Sequence, residues 1–127
     1  MNRSIIFATL GALVMVLFGM AQFQPAHAAS KKGSFSSHKS YKVKGTATVT
    51  ESGGKTVIKL TGFSTTPGPD LYVYVGKGSP TTRIAKLKAN KGSQTYALPA
   101  SVKLSSISTV HIHCKRFSST FATAKVN

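Results

Sequence analysis

Tyr41–Thr61 reads YKVKGTATVTESGGKTVIKLT, and its alternation decides the fold class. Tyr41, Val43, Ala47 and Val49 interleave with Lys42, Lys44, Thr46, Thr48 and Thr50. A period of two sends the first set to one side of the chain and the second to the other, which predicts a half-buried strand. Glu51–Gly54 is a turn, and its Gly-Gly pair suits a tight hairpin. Lys55–Thr61 is the return strand. At Gly62–Phe63 the alternation slips, which predicts a bulge or a strand end.

The same reading extends outward. Asp70–Gly76 (DLYVYVG) places Leu71, Val73 and Val75 on one face and Tyr72 and Tyr74 on the other. Arg83–Lys88, Ser93–Leu98, Ile107–Lys115 and Phe121–Val126 are further short strands. They are separated by loops rich in Gly, Pro, Ser and Asn. Pro99–Ser106 holds at most one helical turn, and no segment carries a sustained helical period. About seven short strands after residue 40 predict a single-domain, all-β antiparallel β-sandwich over residues 41–127. Ser30–Ser40, made of Ser, Lys and Gly around Phe35 and His38, reads as part of a flexible basic leader over 29–40.

Residues before this are a targeting segment. Met1–Arg3 carries one positive charge, Ile5–Ala21 is apolar or small throughout, and Ala26-His27-Ala28 is an A-x-A cleavage pattern. Residues 1–28 are expected to be a cleaved signal peptide. That predicts export to the cell envelope, the periplasm or the exterior, with no transmembrane span after cleavage. The chain has one cysteine, Cys114, so no intrachain disulfide can staple the fold.

Charge excludes several chemistries. Lys and Arg number 17 against two acids, Glu51 and Asp70, for a formal net charge of +15. Two acids 19 positions apart are a poor start for a glycosidase-type carboxylate pair, and the several oxygen ligands of a cation cage are absent. No nucleophile elbow is present. A conventional enzyme is therefore not expected. Lys42, Lys44, Lys59, Lys86 and Lys88 fall mainly on outward strand positions and are the candidate polyanion contacts. Anionic envelope polymers or lipid headgroups are the partners this field would attract. Lysine far outnumbers arginine and no recognition helix is predicted, so sequence-specific nucleic-acid readout is not expected. Nothing in the sequence signals an oligomeric state.

Three segments together carry a family resemblance. GPDLYVYVG (Gly68–Gly76), LKANKGSQTYALP (Leu87–Pro99) and TVHIHCKRFSSTFATAKV (Thr109–Val126) occur in this order and spacing. Over residues from about Gly33 to Val126 the chain resembles the DM-thirteen domain, a small secreted module described as an electron-transfer domain. The resemblance implies a β-sandwich, and a characteristic cysteine in the penultimate strand that is a redox thiol or holds a prosthetic group. Here that residue is Cys114. Two positions depart from the family pattern: His113 precedes the cysteine where a large aromatic is usual, and Tyr41 stands where many members carry histidine four residues before Gly45.

Each candidate residue has two readings. Lys115 and Arg116 beside Cys114 would favour a reactive thiolate. Against that, Cys114 shares a strand face with Val110 and Ile112, which puts its sulfur in the core. His111 and His113 share the opposite face, where an H-x-H pair could hold a metal ion or simply face water. Haem could be held by Cys114 or by one of His38, His111 and His113. Covalent c-type attachment is excluded, because C-x-x-C-H is absent. Gly68, Pro69 and Asp70 form a structural loop, with Asp70 bonding its local backbone or, in the sharper reading, binding a ligand. Two functions follow: a redox or electron-transfer module centred on Cys114, or a noncatalytic basic module held at the envelope by anionic polymers.

Overall fold

The computed structural model describes residues 28–127; the signal-peptide expectation lies outside them, save for Ala28 at its end. Among the described residues there are eight strands and one short 3₁₀ turn: β1 (Ala29–Ser37), β2 (Val43–Ser52), β3 (Lys55–Thr65), β4 (Leu71–Gly76), β5 (Thr82–Lys86), β6 (Gln94–Ala97), the 3₁₀ turn Leu104–Ser106, β7 (Thr109–Cys114) and β8 (Ser119–Lys125). All pairings are antiparallel, in the order β5-β4-β7-β8-β1-β2-β3-β6. The all-β sandwich expected from the sequence is the observed class. Among the described residues no helix is long and apolar enough to cross a membrane.

The two halves of the sandwich share β1. Its first part, Ala29–Ser34, pairs with Glu51–Thr46 of β2; its last three residues, Phe35–Ser37, pair with Ala124–Ala122 of β8. The expectation of a flexible leader over 29–40 is corrected here. Its Ser- and Lys-rich composition hides a strand because its backbone groups are paired, first by β2 and then by β8. Ladder hydrogen bonds do not require apolar side chains. Gly33 sits where β1 passes from one neighbour to the other, and a Cβ there would collide with the Lys125 carbonyl.

The core lies between the halves. Ala47, Val49, Ile58 and Leu60 come from one, Val73, Val75, Val110 and Ile112 from the other. Phe35 on β1 meets Phe63 on β3 edge-to-face, with ring centroids 5.8 Å apart. The slip expected at Gly62–Phe63 is a β-bulge. Thr61 faces Thr46 and Ser64 faces Lys44, so two residues oppose Gly45 alone. Gly62 adopts φ +59°, a left-handed conformation that suits glycine. The bulge restores Phe63 to the buried side after the polar Thr61–Gly62 step.

One end of the core is closed by side chains bonded to the 3₁₀ turn. Lys31 Nζ donates to the Leu104 and Ile107 carbonyls at 3.1 and 2.8 Å. On the same turn, the Leu104 N–H donates to Glu51 Oε2 at 3.3 Å.

Gly33→Ala should lower the unfolding free energy by about 2 kcal/mol or more, because the obstacle is backbone that cannot step aside. Urea denaturation followed by tyrosine fluorescence reads this directly; an unchanged midpoint would show that β1 does not need the close approach.

Candidate functional site

β7 runs through the middle of its half-sheet, between β4 and β8, and its alternation sorts the candidate chemistry onto two faces. Val110, Ile112 and Cys114 turn into the core; Cys114 is free and 0% exposed. Its neighbours in register are Leu71 on β4 and Ser119 on β8. Tyr41 bonds that same Ser119: its hydroxyl is 3.1 Å from Ser119 Oγ, and its ring stacks on Phe121 with centroids 3.7 Å apart. Tyr41 is thus a phenol already engaged by a hydroxyl. A metal or haem held between positions 41 and 114 does not fit these side chains, since the thiol is sealed in the core and the Tyr41 hydroxyl and ring are already engaged by Ser119 and Phe121.

The outer face of β7 differs from its sequence reading. The two histidines are expected in water, yet His111 is 1% exposed and His113 is half-buried. The cost of burial falls away because both rings are bonded. His111 Nε2 lies 2.8 Å from Thr109 Oγ1, and His111 Nδ1 lies 2.9 Å from Thr123 Oγ1. His113 Nδ1 is 2.9 Å from Thr120 Oγ1, and its ring meets Tyr74 edge-on at 4.9 Å. The β4–β5 loop lies against this face: the Gly78 N–H donates to Thr109 Oγ1 at 3.0 Å. An unpaired buried imidazole would cost several kcal/mol, whereas a bonded one need not.

His38, in the β1–β2 connection, joins this group from far away in the chain. Its Nε2 is 3.0 Å from the same Thr123 Oγ1 that bonds His111. The result is a chain His38–Thr123–His111–Thr109–Gly78. Beside it opens a cleft of about 460 Å³ lined by Ser34, Ser36, His38, Gly78, Thr123 and Lys125. No sequence signal links His38 to His111, because the β1–β8 pairing that brings them together is between distant strands. Among the described residues no group of three His, Cys, Asp or Glu side chains could hold a metal ion. Both His111 nitrogens already face threonine hydroxyls.

The remaining candidates separate by place in the fold. Lys42, Lys44, Lys59, Lys86 and Lys88 are all exposed. Lys59 lies mid-strand on the outer face of β3, opposite Thr48 and Thr95. Lys88 is engaged: its Nζ donates to the Thr95 carbonyl at 2.6 Å and lies over the Tyr96 ring. In the Gly68–Asp70 loop, a Cβ on Gly68 would press on Leu71 and Phe121 at 3.1 Å, and the Asp70 carbonyl accepts from the Lys115 N–H at 3.0 Å. That is a structural loop tying β4 to the β7–β8 turn.

Because every pairing is antiparallel, successive connections fall at opposite ends of the sandwich. The four connections at one end, 38–42, 66–70, 87–93 and 115–118, hold six cations: Lys39, Lys42, Lys88, Lys91, Lys115 and Arg116. The three at the other end hold two, Lys77 and Lys103, and Lys31, Lys55 and Lys125 lie beside them on the strands.

Residues 34–126 match the protein family described as Electron transfer DM13. The chain belongs to the DM13 family. No curated protein and no solved structure matches it. Cys114, the redox candidate of the sequence, lies in the core.

His111 supplies a pH-dependent stability. Burial, with the nearby His113 and His38 adding to it, pulls its pKa down to about 4; burial also lowers that of His113. In the unfolded chain an imidazole titrates near 6.5. Between these values the unfolded state binds more protons, so stability is full above about pH 6.5 and falls as pH drops toward 4. The slope should approach about 1.4 kcal/mol per pH unit at its steepest for one histidine. With only two acids in the chain, carboxylate titration contributes little to mask it. Urea midpoints measured from pH 8 to pH 4 test this; a midpoint flat down to pH 5 would place His111 in contact with water.

Proposed function

We propose that this protein is an exported, noncatalytic DM13 module that attaches to anionic surfaces of the cell envelope through its cation-rich end. The observation that carries the reading is the six-to-two division of loop cations between the ends of the sandwich. The only acid in the connections of the basic end is Asp70. A cationic surface of this kind concentrates polyanions and weakens as salt shortens its range. Exposed lysine ammonium groups suit such diffuse contact better than base-specific or bidentate recognition. Retention on immobilised polyphosphate should fall steeply between low and physiological ionic strength. Lys42→Glu with Lys44→Glu should weaken it by about tenfold or more while leaving the unfolding midpoint unchanged, since both side chains are exposed. Retention indifferent to salt would remove the electrostatic reading.

A second reading keeps electron transfer at Cys114, and the family match favours it. A sulfur with 0% exposure can react only if the end of β7 opens. In the first reading a water-soluble alkylating reagent labels Cys114 slowly in the native protein and rapidly in denaturant. Cys114→Ala then lowers stability by roughly 1 kcal/mol or more. Native labelling at the rate of a free thiol, with no stability loss in the variant, would put the redox reading first.

A further inference from the structure

Phe117 is the single large hydrophobic side chain exposed among the described residues, at 60%. It lies in the β7–β8 turn, directly after Lys115 and Arg116, at the end of the sandwich where the loop cations gather. The turn is held in place. The Lys115 N–H donates to the Asp70 carbonyl, and the Ser118 N–H donates back to the Lys115 carbonyl at 3.2 Å. Ser118 completes the turn at φ +48°. Phe117 is therefore presented by a bonded hairpin between two strands of the sheet.

We propose that this end of the sandwich docks on an anionic lipid bilayer, with Phe117 entering the interface and the surrounding cations contacting the headgroups. The proposal rests on the electrostatic reading above and narrows its partner. Cations alone serve a polyphosphate or a wall polymer equally well, but a soluble polyanion offers no apolar phase for a phenyl ring. A bilayer interface offers both at one depth: negative surface potential for Lys39, Lys42, Lys91, Lys115 and Arg116, and acyl-chain boundary for the ring at the tip. The opposite end has neither a comparable set of loop cations nor an exposed large hydrophobic residue among those described.

The chain has no tryptophan, so Phe117→Trp is a single-tryptophan reporter at the proposed contact. With vesicles of equal parts phosphatidylglycerol and phosphatidylcholine, its emission should shift to the blue. With pure phosphatidylcholine it should not. In co-sedimentation with the mixed vesicles at physiological salt, Phe117→Ala should bind about tenfold more weakly than the parent, and its unfolding midpoint should be unchanged. Its retention on polyphosphate should be unaltered. Phe117→Ala binding mixed vesicles as well as the parent, together with unshifted emission from the reporter variant, would overturn the bilayer proposal while leaving polyanion attachment intact. Loss of the parent's salt-sensitive retention on polyphosphate would instead overturn the reading beneath it.

Discussion

The passage of β1 from β2 to β8 holds the molecule together. With a single cysteine, the chain has no disulfide to join its two half-sheets. They are joined by one strand that pairs with β2 along Ala29–Ser34 and with β8 along Phe35–Ser37. Glycine at position 33 permits the approach of the Lys125 carbonyl at the crossing. Immediately beyond it, Phe35 enters the core against Phe63. The same strand carries Lys31, whose ammonium bonds the 3₁₀ turn that closes one end. A polar segment at the edge of the expected domain is thus the element that closes the core.

That closure also creates the polar cluster on the outer face of β7. Because β1 pairs with β8, the connection after β1 delivers His38 to Thr123, and Thr123 is already bonded to His111. The β4–β5 loop then bonds Thr109 from the other side. Burial of an imidazole is tolerated because three threonines from β7 and β8 supply hydroxyls to the two β7 histidines. The thiol on the other face of β7 has no such polar company and behaves as a small core residue.

Charge and topology act together at the surface. An antiparallel sheet of this connectivity sends each odd-to-even connection to one end and each even-to-odd connection to the other. Six of the loop cations are thereby brought to one end, and the β7–β8 turn adds an exposed phenyl ring to them.

Local pattern was enough to specify the strands whose faces differ in polarity. The alternation at Tyr41–Thr50 and Asp70–Gly76, the glycine turn at 53–54 and the phase break at Gly62–Phe63 are all short-range signals, and local backbone geometry obeys them. The inward position of Cys114 follows from the same alternation, since Val110 and Ile112 share its face. β1 was not legible, because its pairing is made through backbone groups that every residue carries, while its side chains resemble those of a loop. The burial of His111 was likewise not legible. Alternation says which side a residue faces, but the cover over that side comes from a loop and from hydroxyls on other strands. The placing of six loop cations at one end depends on which strands pair, a non-local choice made when the folded chain buries one continuous core.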